Sequence, residues 1–127
     1  MALVMIVDDS PTDVHVMKTA LERYGFETVS AADGSECIDL AREVHPDLIL
    51  MDVVMPVVNG FQATRTLSRD PATSSIPVVM VTTKDQETDR IWGMRQGAVD
   101  YLVKPVTEAD LIAKTQEILD RTEESSP

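Results

Sequence analysis

The amino-acid sequence predicts an α/β fold, with a five-stranded parallel β-sheet in the strand order 2-1-3-4-5 and helices on both faces. Short apolar runs alternate with longer segments of helical periodicity five times along the 127 residues, which is the pattern of repeated strand-helix units. Several of these runs are apolar throughout, as in strands that helices cover on both sides. Right-handed crossovers leave few arrangements of five such units, and this order is a common one.

The first unit begins with a short apolar run, residues 3–7, which indicates a buried strand that ends at Asp8. Ser10 is a candidate N-cap, Pro11 suits the first helical position, and Asp13 occupies the position of a capping-box acid. The apolar stripe of the following segment consists of Val14, Met17, Leu21 and Tyr24. Their three- and four-residue spacing predicts an amphipathic helix that packs on the sheet.

Four further units repeat this pattern along the chain. We predict strands at residues 28–31, 48–51, 78–81 and 100–103. We predict helices at residues 35–44, 60–69, 85–96 and 108–121, with Asp33-Gly34 as a turn before the first of them. Residues 1–121 then form one domain, and residues 122–127 form a flexible C-terminal tail.

Composition and charge limit the classes of function. The 22 acidic residues exceed the 11 basic ones and give a formal net charge of −11, which opposes binding to nucleic acid or to anionic lipid. Cys37 is the only cysteine, so the chain cannot form an internal disulfide. The sequence has no signal-peptide pattern and no apolar run long enough to insert into a membrane. We therefore expect a cytoplasmic protein whose partners are proteins and cations.

Polar residues follow four of the predicted strands. Asp8 and Asp9 follow the first, Asp52 the third, Thr82 the fourth and Lys104 the fifth. In the predicted order the first and third strands are neighbours at the switch point, where sheets of this kind bind ligands at the carboxyl ends of their strands. All five residues should therefore face one crevice.

The chemistry of that crevice follows from its charges. Three carboxylates at close range repel one another, and a divalent cation removes the conflict. Mg²⁺ prefers oxygen ligands and retains several waters, so one or two of these carboxylates and a backbone carbonyl would suffice. A carboxylate beside such an ion can accept a phosphoryl group. We predict Asp52 as the nucleophile, with Lys104 and Thr82 neutralising charge on the phosphoryl oxygens.

These residues stand in motifs that resemble those of the CheY-like receiver domains of two-component response regulators. The motifs are VDD at 7–9, MDVVMP at 51–56, Gly60, VTT at 81–83 and KP at 104–105. The resemblance extends from about residue 3 to residue 121 and implies the same strand order. It also implies a signalling protein that catalyses only its own phosphorylation and dephosphorylation.

The resemblance assigns ligands and a phosphorylation site. It implies that Asp52 accepts the phosphoryl group and that Asp9 and Asp52 bind Mg²⁺, for which Mn²⁺ could substitute. The Val54 carbonyl would complete the protein ligands, and Asp8 would act mainly through water. Pro56 and Gly60 would have structural roles.

The resemblance also implies a switch and its partners. Thr82 would move toward the phosphoryl group, Tyr101 would change rotamer in response, and the Lys104-Pro105 peptide would be cis. A histidine kinase would be the phosphodonor. A protein target would bind the face formed by the fourth helix, fifth strand and fifth helix, which could equally support a homodimer.

A narrower resemblance is given by the stretch VTTKDQETDRIWGMRQGAVDYLVKPV, residues 81–106. It is similar to the stand-alone regulators of twitching motility, the PilH type. This implies control of type IV pilus function, twitching motility or chemotaxis.

Other functions are consistent with parts of the same pattern. The chain is alternatively a receiver domain from a larger regulator or hybrid kinase, or a receiver-like binding module that is not phosphorylated. A flavin-binding protein would need a phosphate loop rich in glycine and hydroxyl groups after the first strand, where DDSPTD would repel phosphate. A magnesium phosphatase would normally place its paired acids one residue apart, whereas Asp8 and Asp9 are adjacent.

Three residues also have alternative interpretations. Thr82 could cap the following helix, a role that Thr83 or Asp85 could share. Tyr101 could be a fully packed core tyrosine. Trp92 could be partly exposed to serve a partner, or partly buried in the core.

Overall fold

The computed structural model describes residues 2–124, which form one five-stranded sheet covered by five helices. The strands are β1 (Leu3–Val7), β2 (Glu27–Ala31), β3 (Leu48–Met51), β4 (Val78–Thr82) and β5 (Asp100–Val103). The helices are α1 (Pro11–Arg23), α2 (Gly34–Val44), α3 (Gly60–Arg69), α4 (Glu87–Gln96) and α5 (Glu108–Glu124). All strand pairs are parallel and the order is β2-β1-β3-β4-β5. The predicted fold class and strand order are confirmed.

Successive residues of the central strands pack into two separate hydrophobic cores. Met5 and Val7 lie in the core that contains residues of α2 and α3, whereas Val4 and Ile6 lie in the core that contains residues of α1 and α5. Neighbouring side chains of a strand point to opposite faces of a sheet, so an uninterrupted apolar strand must be covered on both sides. The sheet is therefore the middle of three layers.

The helix starts follow local capping chemistry. Ser10 caps α1 by accepting a hydrogen bond from Asp13 N–H at 3.2 Å, and Pro11 is the first helical residue. Asp33 caps α2 in the same way and Gly34 is already helical, so the predicted turn at these two residues is in fact the start of the helix. Asp and Gly are favoured both at helix N-caps and in turns, so the two look alike in sequence.

Two further helix ends differ from the predicted ones. Helix α4 begins at Glu87 with Gln86 as its N-cap residue, so Thr82, Thr83 and Asp85 do not cap it. Helix α5 continues to Glu124, three residues beyond the predicted end. Residues 122–124 of the predicted tail are therefore helical, and residues 125–127 lie outside the described part of the chain.

Several apolar residues of the predicted helices remain at the surface. Tyr24 is 55% exposed because it is the C-cap residue beyond α1 and not a member of its buried face. Helix α4 buries Gly93, whereas Ile91, Trp92 and Met94 are partly exposed. Of the two interpretations of Trp92, the structure thus agrees with partial exposure. No helix within residues 2–124 combines the length and apolarity needed to cross a membrane.

Candidate functional site

The candidate site lies at the edge of the sheet where β1, β3, β4 and β5 end. Asp52 N–H donates a hydrogen bond to the carbonyl of Val7 at 2.9 Å, which ties the residue after β3 to the end of β1. Asp8 N–H donates to the carbonyl of Ala31 at 3.1 Å and joins the same point to β2. The parallel ladders therefore hold Asp8 and Asp52 side by side.

Asp8, Asp9 and Asp52 form an acidic cluster at this edge. One carboxylate oxygen of each residue lies within 4.8 Å of the other two. Asp8 and Asp52 are buried, at 2% and 9% exposure, whereas Asp9 is open to solvent. Hard oxygen donors with access to water match the partly hydrated coordination that Mg²⁺ prefers. The residues present therefore fit Mg²⁺, and Mn²⁺ takes the same kind of ligand.

Lys104 supplies the cation of the site. Its Nζ lies 2.6 Å from Asp8 Oδ2 and 2.8 Å from Asp13 Oδ2. Asp52 Oδ2 is farther from Nζ, at 3.5 Å. Burial lowers the pKa of the ammonium, but the hydrogen bonds to Asp13 and Asp8 and the charge of Asp52 outweigh that effect and raise it. Lys104 is therefore positively charged at neutral pH.

The surroundings of Asp8 disfavour the ionised form of its carboxylate. Burial raises the pKa of Asp8 above its usual range. Hydrogen bonds from Lys104 and from Ser10 N–H, the latter at 2.9 Å, offset this rise only in part, and the charge of Asp52 adds to it. A cation bound at the cluster would relieve this cost.

Asp52 is held in place from its own loop. Val53 N–H donates to Asp52 Oδ1 at 2.8 Å, while Oδ2 is the oxygen nearer to Lys104. Gly60 packs directly behind this residue: its N–H donates to the carbonyl of Val53 at 2.9 Å. A Cβ at Gly60 would collide with the carbonyl oxygen of Asp52. The absence of a side chain at Gly60 therefore lets α3 start against the end of β3.

Thr82 and Tyr101 share Lys84 as a neighbour. Thr82 is fully buried and its Oγ1 accepts a hydrogen bond from Lys84 N–H at 3.3 Å, so its hydroxyl can still donate to another group. The buried Tyr101 donates its hydroxyl proton to the carbonyl of Lys84 at 2.7 Å. Burial, with nearby acids that include Asp52, raises the pKa of Tyr101 to about 12. Both side chains thus end on the loop between β4 and α4.

The remaining predicted residues border the acidic cluster. Val54 lies on the loop after Asp52 and is 60% exposed, and its role as a carbonyl ligand stays a prediction. Pro56 is exposed on the same loop, where its carbonyl accepts a hydrogen bond from Val58 N–H at 2.8 Å. The Lys104-Pro105 peptide bond is cis.

Asp13 is a member of the site that the sequence pattern did not identify. It was assigned only the role of a capping-box acid, whereas its carboxylate contacts Lys104 at 2.8 Å. The available signal was its place in the first turn of the helix that follows the paired acids. In a βαβ unit that turn lies beside the carboxyl ends of the strands.

Comparison with known proteins gives a consistent assignment. Residues 4–116 match the family described as the response regulator receiver domain. The chain is 53% identical to protein PilH of Pseudomonas aeruginosa over 119 residues, which cover 94% of this chain and 98% of that protein. It is 36% identical to the DNA-binding response regulator MtrA of Mycolicibacterium smegmatis over 95% of this chain, but spans only about half (52%) of that longer protein.

A solved structure gives the same assignment at the level of the fold. The CheY-like response regulator receiver domain protein of Methanospirillum hungatei superimposes with a TM-score of 0.93 at 26% identity, over 99% of each chain. Family match, relatives and fold thus agree with the acidic cluster and its lysine. The chain belongs to the family of response regulator receiver domains.

Proposed function

We propose that the chain is a single-domain response regulator that accepts a phosphoryl group from a histidine kinase on Asp52 and then changes its affinity for a protein target. The observation that most supports this proposal is the position of Asp52 Oδ2, 3.5 Å from the Lys104 ammonium and beside the other acids of the cluster. A carboxylate nucleophile, a cation and clustered oxygen ligands are the groups that phosphoryl transfer to a carboxylate requires. The domain acts only on itself, in phosphorylation and dephosphorylation.

The transfer needs positioning more than activation. An Asp52 carboxylate oxygen forms the new bond to phosphorus while the phosphorus–nitrogen bond of the donor phosphohistidine breaks and the imidazole nitrogen retains the electron pair. Charge develops on the phosphoryl oxygens in the loose transition state. The Lys104 ammonium and the Thr82 hydroxyl are the donors that would stabilise that charge. Burial of Asp52 limits the water that competes for these interactions.

Asp8, Asp9 and Asp52 would hold Mg²⁺, with the Val54 carbonyl as a further ligand. When bound, the ion supplies positive charge that offsets the repulsion between the carboxylates and an incoming phosphoryl group. The protein contributes the placement of these oxygens. Its backbone hydrogen bonds fix Asp8 and Asp52 before any ligand arrives.

The partly exposed apolar residues of α4, β5 and the turn between them are the proposed target surface. This α4–β5 surface consists of Ile91, Trp92, Met94, Val99 and Val103. Tyr101 lies between it and the site, because its ring packs against Gly93 of α4 and its hydroxyl reaches the loop after Thr82. A move of Thr82 toward a phosphoryl group would disturb that loop and, through Tyr101, the α4–β5 surface.

The narrower role that we propose is the control of twitching motility or of a chemotaxis-like response. The similarity to PilH extends over 98% of that protein, which supports a role of the same kind. The net charge of −11 disfavours nucleic acid and anionic lipid as direct targets. A cytoplasmic protein partner is therefore the proposed target.

Intact-mass measurement tests the phosphorylation step. The protein is incubated with acetyl phosphate and Mg²⁺, and the acyl phosphate is trapped with borohydride to capture a short-lived adduct. We expect a modification on the wild type, none on Asp52→Asn, and none when the metal is chelated. Equal modification of Asp52→Asn would place the acceptor elsewhere.

Absence of any adduct on the wild type, with trapping, would overturn the phosphorylation proposal. The receiver-like binding module would then be the better description. Circular dichroism of Asp52→Asn serves as the folding control.

A further inference from the structure

Lys104 has a partner that lies outside the acidic cluster. Asp13 Oδ2 is 2.8 Å from Lys104 Nζ, which is 0.7 Å less than the 3.5 Å that separates Nζ from Asp52 Oδ2. The backbone of Asp13 is held in place, because its N–H donates a hydrogen bond to Ser10 Oγ in the cap of α1. The contact therefore joins the first turn of α1 to the end of β5.

The two close partners of Lys104 differ in their surroundings. The Asp8 side chain is only 1% exposed, whereas that of Asp13 is 43% exposed. An ammonium group has three protons to donate, and these two carboxylates occupy two of them at short distance. A phosphoryl group on Asp52 carries more than one negative charge and would need the same ammonium. Asp13 is the partner that water can replace at least cost.

We propose that Asp13 is a positioning residue that holds Lys104 at the rim of the site in the unphosphorylated protein and competes with the phosphoryl group on Asp52 for its ammonium. This inference rests on the proposed function of Asp52. The contact with Asp13 biases the domain toward its unphosphorylated state, because it holds the ammonium 3.5 Å from Asp52 Oδ2 and offsets part of the positive charge that a phosphoryl group would meet. Asp13 sets how readily the lysine changes partner and does not itself touch the reacting atoms.

Removal of the Asp13 charge should favour the phosphorylated form. Ion pairs with one solvent-exposed partner shift an equilibrium by about two- to five-fold. We therefore expect Asp13→Asn to bind beryllofluoride, an analogue of the phosphoryl group, about two- to five-fold more tightly than the wild type at saturating Mg²⁺. The gain should shrink at about 1 M NaCl, where the screening length is only about 3 Å.

Asp110→Asn is a matched control for this substitution. Asp110 is also in the first turn of a helix, and its N–H makes the same kind of cap contact by donating to Thr107 Oγ1 at 3.1 Å. The change of one unit of charge near a helix N-terminus is therefore the same. Among the described residues, Asp110 is not a partner of Lys104. Beryllofluoride affinity is measured by calorimetry, with Mg²⁺ saturation checked separately for each variant.

A second readout does not depend on phosphorylation. The ¹⁵N signal of the Lys104 ammonium, recorded without metal or beryllofluoride, reports its carboxylate contacts. We expect Asp13→Asn to shift this signal, Asp110→Asn to leave it unchanged, and Asp13→Glu to restore part of the wild-type position.

The outcomes separate the two proposals. If the wild type binds beryllofluoride and Asp13→Asn binds it equally or more weakly, the role of Asp13 is overturned while the function of Asp52 stands. An unchanged Lys104 signal in Asp13→Asn would also overturn it. If the wild type does not bind beryllofluoride at saturating Mg²⁺, the phosphorylation proposal fails and the inference about Asp13 fails with it.

Discussion

Asp8 ionises less readily in the folded chain than in water, although Lys104 lies 2.6 Å away. Burial opposes its charge more strongly than the lysine and the Ser10 N–H favour it, and Asp52 adds a like charge nearby. The folded protein therefore binds more protons at Asp8 than the unfolded chain does. By linkage, the contribution of Asp8 to stability is fully present below its unfolded-state pKa, and it is lost as the pH rises through its raised folded-state pKa.

Asp8→Asn should remove this pH dependence in metal-free protein. We expect the variant to gain stability over the wild type as the pH rises from about 4 toward 8, because an amide cannot ionise. The free energy of unfolding is measured by urea denaturation in EDTA across that range. Asp39→Asn, at an exposed position of α2, controls for the change of charge. A variant that is less stable than the wild type at neutral pH would contradict the conclusion that the ionised Asp8 carboxylate destabilises the folded protein.

Helix α3 shows how an element positions Asp52, the proposed phosphoacceptor. Its first residue, Gly60, touches the backbone of Asp52, and Asn59 and Gln62 form a capping box that fixes the start of the helix. On the same loop, the exposed Val57 has a φ of 66°, which is rare for a β-branched residue. The loop that carries Val54 and Pro56 is thus confined at both ends, between Asp52 and the cap of α3.

Gly60→Ala should be destabilising even though alanine is the better helix former. The added Cβ meets backbone atoms of Asp52 and Val53 that cannot move independently of β3. We expect a loss of about 1–3 kcal/mol from overpacking and slower phosphorylation of Asp52. Gly93→Ala is the comparison, because its Cβ would lie 3.3 Å from the Tyr101 ring and helix propensity returns about 1 kcal/mol. Equal losses of unfolding free energy in the two variants would contradict this account.

The whole molecule places like charges together at one edge of a sheet, where the apolar strands β1 and β3 end. Strands β1 and β3 are buried on both faces, so their acids are displaced to the carboxyl ends, where they meet. The buried strands stabilise this arrangement through apolar area, while the acidic cluster opposes it. A cation that binds the folded site and not the unfolded chain would then stabilise the entire domain.

Mg²⁺ should therefore raise the free energy of unfolding of the wild type. At a concentration of about 100 times the dissociation constant, linkage gives about 2.7 kcal/mol. Urea denaturation is compared in MgCl₂ and in KCl of equal ionic strength, with Asp9→Asn and Asp52→Asn as variants that lose a proposed ligand. Equal stabilisation by KCl, or an undiminished effect in both variants, would show that Mg²⁺ acts by general screening.

The sequence by itself determined the order of the elements, the fold class and the residues at the ends of the strands. This was possible because an apolar run such as residues 48–51 is stable only when it is removed from water. The first polar residue after such a run must therefore lie at the edge of the sheet. Capping residues such as Ser10 and Pro11 act within a few positions of the chain, so the start of α1 could also be predicted from the local sequence. The acids Asp8, Asp9 and Asp52 were identified for the same reason.

Only the tertiary structure decided which side chains touch across elements. The contact between Asp13 and Lys104 joins residues 91 positions apart, and no local spacing encodes it. Burial of α4 likewise depends on how closely that helix approaches β5: Gly93 faces the Tyr101 ring, which leaves Ile91 and Met94 partly exposed. Local patterns report what a segment prefers, whereas contacts and burial depend on the relative placement of elements, which is settled when the two cores pack on the sheet.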